Sequence, residues 1–398
     1  MKYVMLVGDG MADEPQAALA GRTPVEAAST PNMDRISREG ATGLVRTVPD
    51  GFEPGSDVAN MSLLGFDPSL FYSGRAPLEA ASLGVELPAG AVAFRCNLVS
   101  IRDGIMHDYS SGHIDTETSH KIVADLKKVL DSDSVTLYPG VSYRHLLVIK
   151  NFPDGKLHCT PPHDLSDKPV APHVPSGAGV DILRVLCDKA RPVLAACSAN
   201  CDRAAEGKTA VTDIWLWGQG GSRKFPSLTE RFGKTGAVIS AVDLVRGLGR
   251  LAGLEVIKVP GATGYLGTNY AGKVAACESA LDKCDFVYLH VEAPDETSHE
   301  GDLAKKLQAI EEFDANVVGP VLKMQTRVDN MRIIVLPDHP TFIRTKTHDA
   351  SPVPFAVCGE GISNASGLAY SEANARSTGT SPLTGAELFS QFITGNFS

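Results

Sequence analysis

Seven polar residues define the chemistry open to this chain: Asp9, Ser56, Asp295, His299, Asp338, His339 and His348. Carboxylates and imidazoles beside one hydroxyl suit borderline or hard divalent cations. A serine hydroxyl is a poor nucleophile at neutral pH. One bound cation can deprotonate it, and a second about 3.5–4 Å away can clamp a transferring group. Charge on phosphoryl oxygens is then neutralised during an in-line displacement. The set therefore reads as two metal sites flanking Ser56. Alone, Asp295-x-x-x-His299 is a weak signal and His348 an ordinary surface histidine. Asp338-His339 is stronger, because both side chains leave one strand end, and neighbours in extended chain point opposite ways. A purely structural role would need a partner for each of three buried carboxylates.

The elements that must position these residues share a pattern. Tyr3–Val7, Phe286–Val291 and Ile333–Leu336 are short apolar runs that read as buried strands, and the aspartates follow them. Strand ends are where α/β sheets gather their chemistry. Gly8-Asp9-Gly10 permits a sharp turn. Thr30-Pro31 reads as a helix start, capped by Thr30 or Ser29. Residues 48–56 form a Pro/Gly loop that delivers Ser56 just ahead of a helix over Val58–Leu64. A helix N-terminus there favours phosphate.

From about Val92 the pattern changes to strands and turns, at Val92–Ile101, Ser134–Tyr138 and Tyr143–Ile149. A helix over Thr116–Leu130 places Ile122, Val123, Leu126, Val129 and Leu130 on its apolar face. A second covers Val180–Cys197. Residues 159–176 lack periodicity and read as a long ordered loop or hinge. From Trp215 strands alternate with helices again, which implies a parallel sheet. The expected architecture is α/β: a doubly wound, mostly parallel sheet from residues 1–87 and 213–398, with a smaller α+β domain inserted at 88–212.

The length of 398 residues also favours two domains. A formal charge of −10 opposes nonspecific binding to nucleic acid or an anionic membrane. Eight cysteines form no C-x-x-C pair, which fits a reducing cytoplasm. The apolar stretch after Lys2 ends at Val7, too short for a signal h-region or a spanning helix. Gly207-Lys208-Thr209 and Gly233-Lys234-Thr235 end like P-loops, but Asp202 and Leu228 stand where the earlier glycine belongs. Gly247–Gly253 has the wrong spacing for a dinucleotide fingerprint and follows a helix. Trp215 and Trp217 read as strand packing.

Together, Gly8-Asp9-Gly10, Gly55-Ser56-Asp57, Asp295-x-x-x-His299, Asp338-His339 and His348 ahead of Ser351-Pro352-Val353-Pro354-Phe355 resemble the alkaline phosphatase superfamily. Within it, four stretches make the chain similar to the archaeal-type cofactor-independent phosphoglycerate mutases over essentially its whole length. They are Gly55–Asn60, Tyr72–Ala80, Thr160–Asp164 and Trp215–Gly220. The resemblance implies a ping-pong transfer without 2,3-bisphosphoglycerate, in which Ser56 takes the phosphoryl group and returns it to the other hydroxyl of the retained glycerate. It implies one divalent cation on Asp9, Ser56, Asp338 and His339 and another on Asp295, His299 and His348, manganese ahead of magnesium, zinc or cobalt. Matching substrate ligands are Arg75, Arg95, Arg144, His163 and Arg203. Asp164 is the matching proton-transfer group, with Asp108 and His113 as rivals. The expected partner is a small phosphorylated metabolite, with neither nucleic acid nor membrane; the oligomeric state stays open. Val7–Asp13 and the Ala-rich stretch around Ala80 also resemble a bacterial branch with a proposed homoserine kinase role. That kinase and a plain phosphatase are the alternatives.

Overall fold

Apolar strands can be buried along their whole length only where a sheet is covered on both faces. The computed structural model describes residues 1–153, 155–362 and 365–397, and divides them into two compact units. One is built from Met1–Tyr72 and Lys224–Ser398, the other from Ser73–Arg223.

The larger unit holds an eight-stranded sheet. Its strands are β1 (Lys2–Gly8), β2 (Ala41–Arg46), β3 (Gly236–Ile239), β4 (Glu255–Ile257), β5 (Phe286–Val291), β6 (Met331–Leu336), β7 (Val353–Gly359) and β8 (Leu383–Thr384). They lie in the order β4-β3-β5-β1-β6-β7-β2-β8. The pairings are parallel except those of β7, which runs antiparallel to β6 and β2. The sheet is thus parallel-rich, as expected. β5, β1 and β6 are neighbours, with Gly8 opposite Val291 and Val7 opposite Leu336. Their C-terminal ends therefore finish side by side. β5 and β6 are buried at every position, matching their apolar sequence. One local expectation fails. The helix Pro31–Glu39 has Thr30 at its cap position, but the Thr30 side chain makes no capping bond. The Asp314 carboxylate accepts from Asn32 N at 3.2 Å and Met33 N at 2.7 Å instead.

The smaller unit has a five-stranded antiparallel sheet in which Val92–Arg102 pairs with Arg144–Ile149, Ile105–Asp108 and Asp213–Gly221, and Val135–Val141 pairs with Arg144–Ile149. Helices Thr116–Leu130 and Val180–Ala196 bury Ile122, Leu126, Leu183 and Leu194 with Phe94, Leu98 and Leu147. Val129, expected on the buried face, is 41% exposed. Asp213–Gly221 was expected to open the parallel sheet. It runs antiparallel beside Val92–Val99 instead. Ala76 and Ala80 of helix Arg75–Leu83 share a core with Ala91, Ala93, Leu146 and Val148. The unit boundaries consequently fall at 72/73 and 223/224, where 87/88 and 212/213 were expected.

Candidate active site

The expected ligands collect at the ends of β5, β1 and β6. Asp9 follows β1 and is buried; its neighbour Gly10 has φ +60. A Cβ at Gly10 would come within 2.6 Å of Thr341 Oγ1 and closer still to Asp295 Oδ1, so only glycine lets this turn pass. After β5, helix α2 (Ala293–Glu300) has Pro294 in its first turn. The four-residue spacing puts Asp295 and His299 on one face. After β6 come Asp338 and His339, both fully buried. A short hairpin then pairs Thr341 with His348 and brings the histidine back. Ser56 is the first residue of helix α1 (Ser56–Leu63).

The side chains converge. Ser56 Oγ lies 3.0 Å from His339 Nε2. His339 Nε2 is 3.5 Å from Asp9 Oδ1 and 3.4 Å from Asp338 Oδ2. His299 Nε2 lies 3.0 Å from His348 Nε2 and 3.1 Å from Asp295 Oδ2, and His348 Nε2 is 3.5 Å from Asp295 Oδ1. Among the described residues, Asp295 with His299 and His348, and Asp9 with Asp295 and His339, thus meet the donor spacing a cation needs.

The electrostatics call for added positive charge. Burial, then Asp338 and Asp295, hold the Asp9 carboxyl well above its ordinary range. Burial opposes ionisation of Asp295 too, but its contacts with His299 and His348 keep that carboxyl well below the usual range. In return Asp295 raises His299 to about 9. Burial lowers His339, leaving its imidazole free to act as a ligand. Asp9 Oδ1 is buried without a hydrogen-bond partner among the described residues. An orphaned carboxyl oxygen among further carboxylates and imidazoles fits divalent cations.

The sequence reading missed several residues here. His290 lies within β5, opposite Val7, with Nε2 3.0 Å from Asp9 Oδ2. That nitrogen also lacks a hydrogen-bond partner among the described residues, and Asp9, His290 and Asp338 form a third possible donor group. A polar residue inside an apolar strand was the available signal. Thr341 donates to Asp295 Oδ1 at 2.5 Å and lies 3.2 Å from His339 Nδ1. Asn60 and Tyr288 brace Asp338.

The expected substrate ligands lie in the smaller unit. Arg95 is buried, ion-paired with Glu79 at 2.9 Å, and its guanidinium lies 4.2 Å from the Trp217 ring centroid. Burial lowers its pKa to about 10; Glu79 raises it, and Arg75 and Arg144 lower it further. Arg144 lies over Tyr143. His163 packs edge-on against Trp217 and is lowered chiefly by burial, then by Arg95 and Arg75. Arg75, Arg95 and Arg144 therefore form one cationic group, with the His163 imidazole beside it. Arg203 does not join them in the same way: it is buried, and donates to Ser111 O at 2.7 Å and Thr209 O at 3.0 Å. Asp164 is exposed, 3.7 Å from His163 Nε2. The rival Asp108 is occupied by Ser110 and Gly112 of its own loop. His113 packs near Tyr109 and Tyr143.

Known proteins match both the fold and the chain. Residues 37–200 match the family model for 2,3-bisphosphoglycerate-independent phosphoglycerate mutase. A protein of that name from Methanothrix thermoacetophila is 50% identical over 396 residues, covering 99% of this chain and 100% of the relative. This chain belongs to that family. A second relative of the same name, from Methanosarcina acetivorans, is 49% identical over 387 residues, with 97% of this chain and 98% of the relative covered. A solved protein from Pyrococcus horikoshii aligns over 100% of this chain and 98% of its own, at 26% identity and a TM-score of 0.82. The fold is also that of a cofactor-independent phosphoglycerate mutase from Thermoplasma acidophilum, at 24% identity and a TM-score of 0.67, with 99% of each chain covered. Among the described residues no helix is long and apolar enough to cross a membrane.

Proposed function

We propose that this family member interconverts 2- and 3-phosphoglycerate without 2,3-bisphosphoglycerate, using Ser56 as the phosphoryl carrier. The observation that carries the reading is Ser56 at the start of a helix, 3.0 Å from His339, which itself belongs to a possible cation-holding group with Asp9 and Asp295. Asp9, Ser56, Asp338 and His339 would hold one divalent cation, and Asp295, His299 and His348 the other. Such cations acidify a serine hydroxyl and neutralise phosphoryl charge. Manganese fits the mixed carboxylate and imidazole set.

Ser56 Oγ gives up its proton as it attacks phosphorus, the bond from phosphorus to the substrate oxygen breaks, and that oxygen takes up a proton. The other glycerate hydroxyl then attacks and loses its proton, the bond from phosphorus to Oγ breaks, and Oγ takes a proton back. Arg75, Arg95, Arg144 and His163 would bind the carboxylate and phosphate of phosphoglycerate. Arg203, committed to two carbonyls, would instead hold the loop around Ser111. Asp164, exposed and beside His163, would carry the proton of the glycerate hydroxyl. Eight unpaired thiols support a reducing cytoplasm as the working compartment. Pure protein with manganese should form 2-phosphoglycerate from 3-phosphoglycerate alone. Turnover of homoserine with ATP, or of an aryl phosphate, with no activity on 3-phosphoglycerate would replace this reading by a kinase or a phosphatase.

A further inference from the structure

One buried amide joins the backbone of Ser56 to Asp338. Asn60 lies one turn after Ser56 in α1, and Tyr288 lies on β5; neither has exposed surface. Asn60 Nδ2 donates to Asp338 Oδ2 at 2.6 Å and to the Ser56 carbonyl at 2.8 Å. Asn60 Oδ1 accepts from the Tyr288 hydroxyl at 2.5 Å. An ionised carboxylate can only accept, so Nδ2 must face Asp338 and Oδ1 must face Tyr288. Both amide protons are then used, and the phenol fixes the amide against flipping. The other Asp338 oxygen is already held: Oδ1 accepts from Gly10 N at 3.1 Å and His339 N at 2.9 Å. Backbone thus orients one side of the carboxylate and Asn60 the other. The same amide reaches across 278 residues of sequence to grip the residue that carries the nucleophile.

We infer that Asn60, locked by Tyr288, is a positioning residue that sets the Ser56 hydroxyl relative to the cation bound by Asp338. The inference rests on the proposed assignment of Ser56 and Asp338 to one cation. Outer partners of metal ligands typically tune affinity about 10–100-fold, and a misplaced nucleophile lowers turnover separately from substrate binding.

The test uses full-length Asn60→Leu, similar in shape but without donors, and Tyr288→Phe, which removes one hydroxyl. Asp338→Asn serves as reference. Manganese binding is followed by calorimetry, the metal-free protein by thermal melting, and turnover of 3-phosphoglycerate at saturating manganese. Asn60→Leu should weaken one of two manganese equivalents about 10–100-fold and leave the other unchanged. It should also lower kcat with KM for 3-phosphoglycerate unchanged. Tyr288→Phe should give the same pattern, smaller. The inference is overturned if both variants bind manganese and turn over like wild type. It is equally overturned if both equivalents weaken together, in step with a lower metal-free melting temperature, because that marks plain structural support. Loss of one equivalent in Asp338→Asn alone would remove this inference and leave the proposed function standing. Retention of both equivalents in Asp338→Asn would remove the cation assignment itself.

Discussion

Replacing Lys306 with methionine keeps most of the side-chain stem and deletes a charge that has no exposed surface. Its ammonium, on helix α3 (Leu303–Phe313), donates to Asp13 Oδ2 at 2.9 Å, Thr341 O at 2.8 Å and Ala12 O at 3.3 Å. Burial lowers its pKa, and Asp13 is the main group opposing that. After Lys306→Met the Asp13 carboxylate keeps the Ile343 and Glu14 amides but loses its counter-charge. Removing one member of a buried pair costs about 3–5 kcal/mol. In a unit of this size each kcal/mol moves the melting temperature by about 2–4 °C, so the expected fall is about 6–20 °C. Scanning calorimetry of the metal-free protein measures it. Adding Asp13→Asn removes the stranded charge and should recover part of the loss. Thr341 bridges Asp295 and His339, so manganese affinity should fall as well. A shift under about 2 °C, or a double variant no better than the single, would refute the reasoning.

Ser56→Ala should abolish phosphoryl transfer and change stability by no more than about 0.5 kcal/mol; loss of the phosphopeptide in mass spectra checks the first part and urea melts the second. Burial pushes the Glu372 carboxyl up to about 7 from its ordinary 4.5. The folded state therefore binds the proton more tightly than the unfolded chain, and stability should fall by about 3 kcal/mol as pH rises between those values. Glu372→Gln should flatten that slope in denaturant melts. Arg203→Ala should lower the melting temperature by stranding the Ser111 and Thr209 carbonyls, whereas Arg144→Ala should raise KM for 3-phosphoglycerate with little change in melting. At a concentration one hundred times its Kd, manganese should stabilise the protein by about 2.7 kcal/mol, an increment that a chelator removes.

The segments holding Asp9, Asp295 and Asp338 were legible in sequence because each is a polar break after an apolar run, and such breaks fall at strand ends. Asp9, Asp295 and Asp338 signal themselves that way. His290 does not: enclosed by apolar neighbours, it looks like core, and only the register that sets β5 beside β1 brings it to Asp9. Asn60, Tyr288 and Lys306 are hidden for a related reason. Buried polar side chains take their meaning from partners hundreds of residues away. Asp213–Gly221 was correctly a strand by its own residues, but nothing local says that its partner is Val92–Arg102. Arg203 shows the limit for cations, since a guanidinium looks the same whether it awaits a ligand or holds two carbonyls.

The order of the strands has a consequence for synthesis. β1 is synthesised well before both its neighbours, Phe286–Val291 and Met331–Leu336, which lie more than 270 residues further along the sequence. At about 5–20 residues per second, that wait lasts on the order of ten seconds or more. The smaller unit lies entirely within Ser73–Arg223 and can complete its own sheet in the interval. Until then the apolar Tyr3–Val7 segment has no strand to pair with, and the Asp9 carboxylate has no neighbouring ligands. The interval before Leu336 is made is therefore when this unpaired apolar segment is most open to pairing with the wrong strand.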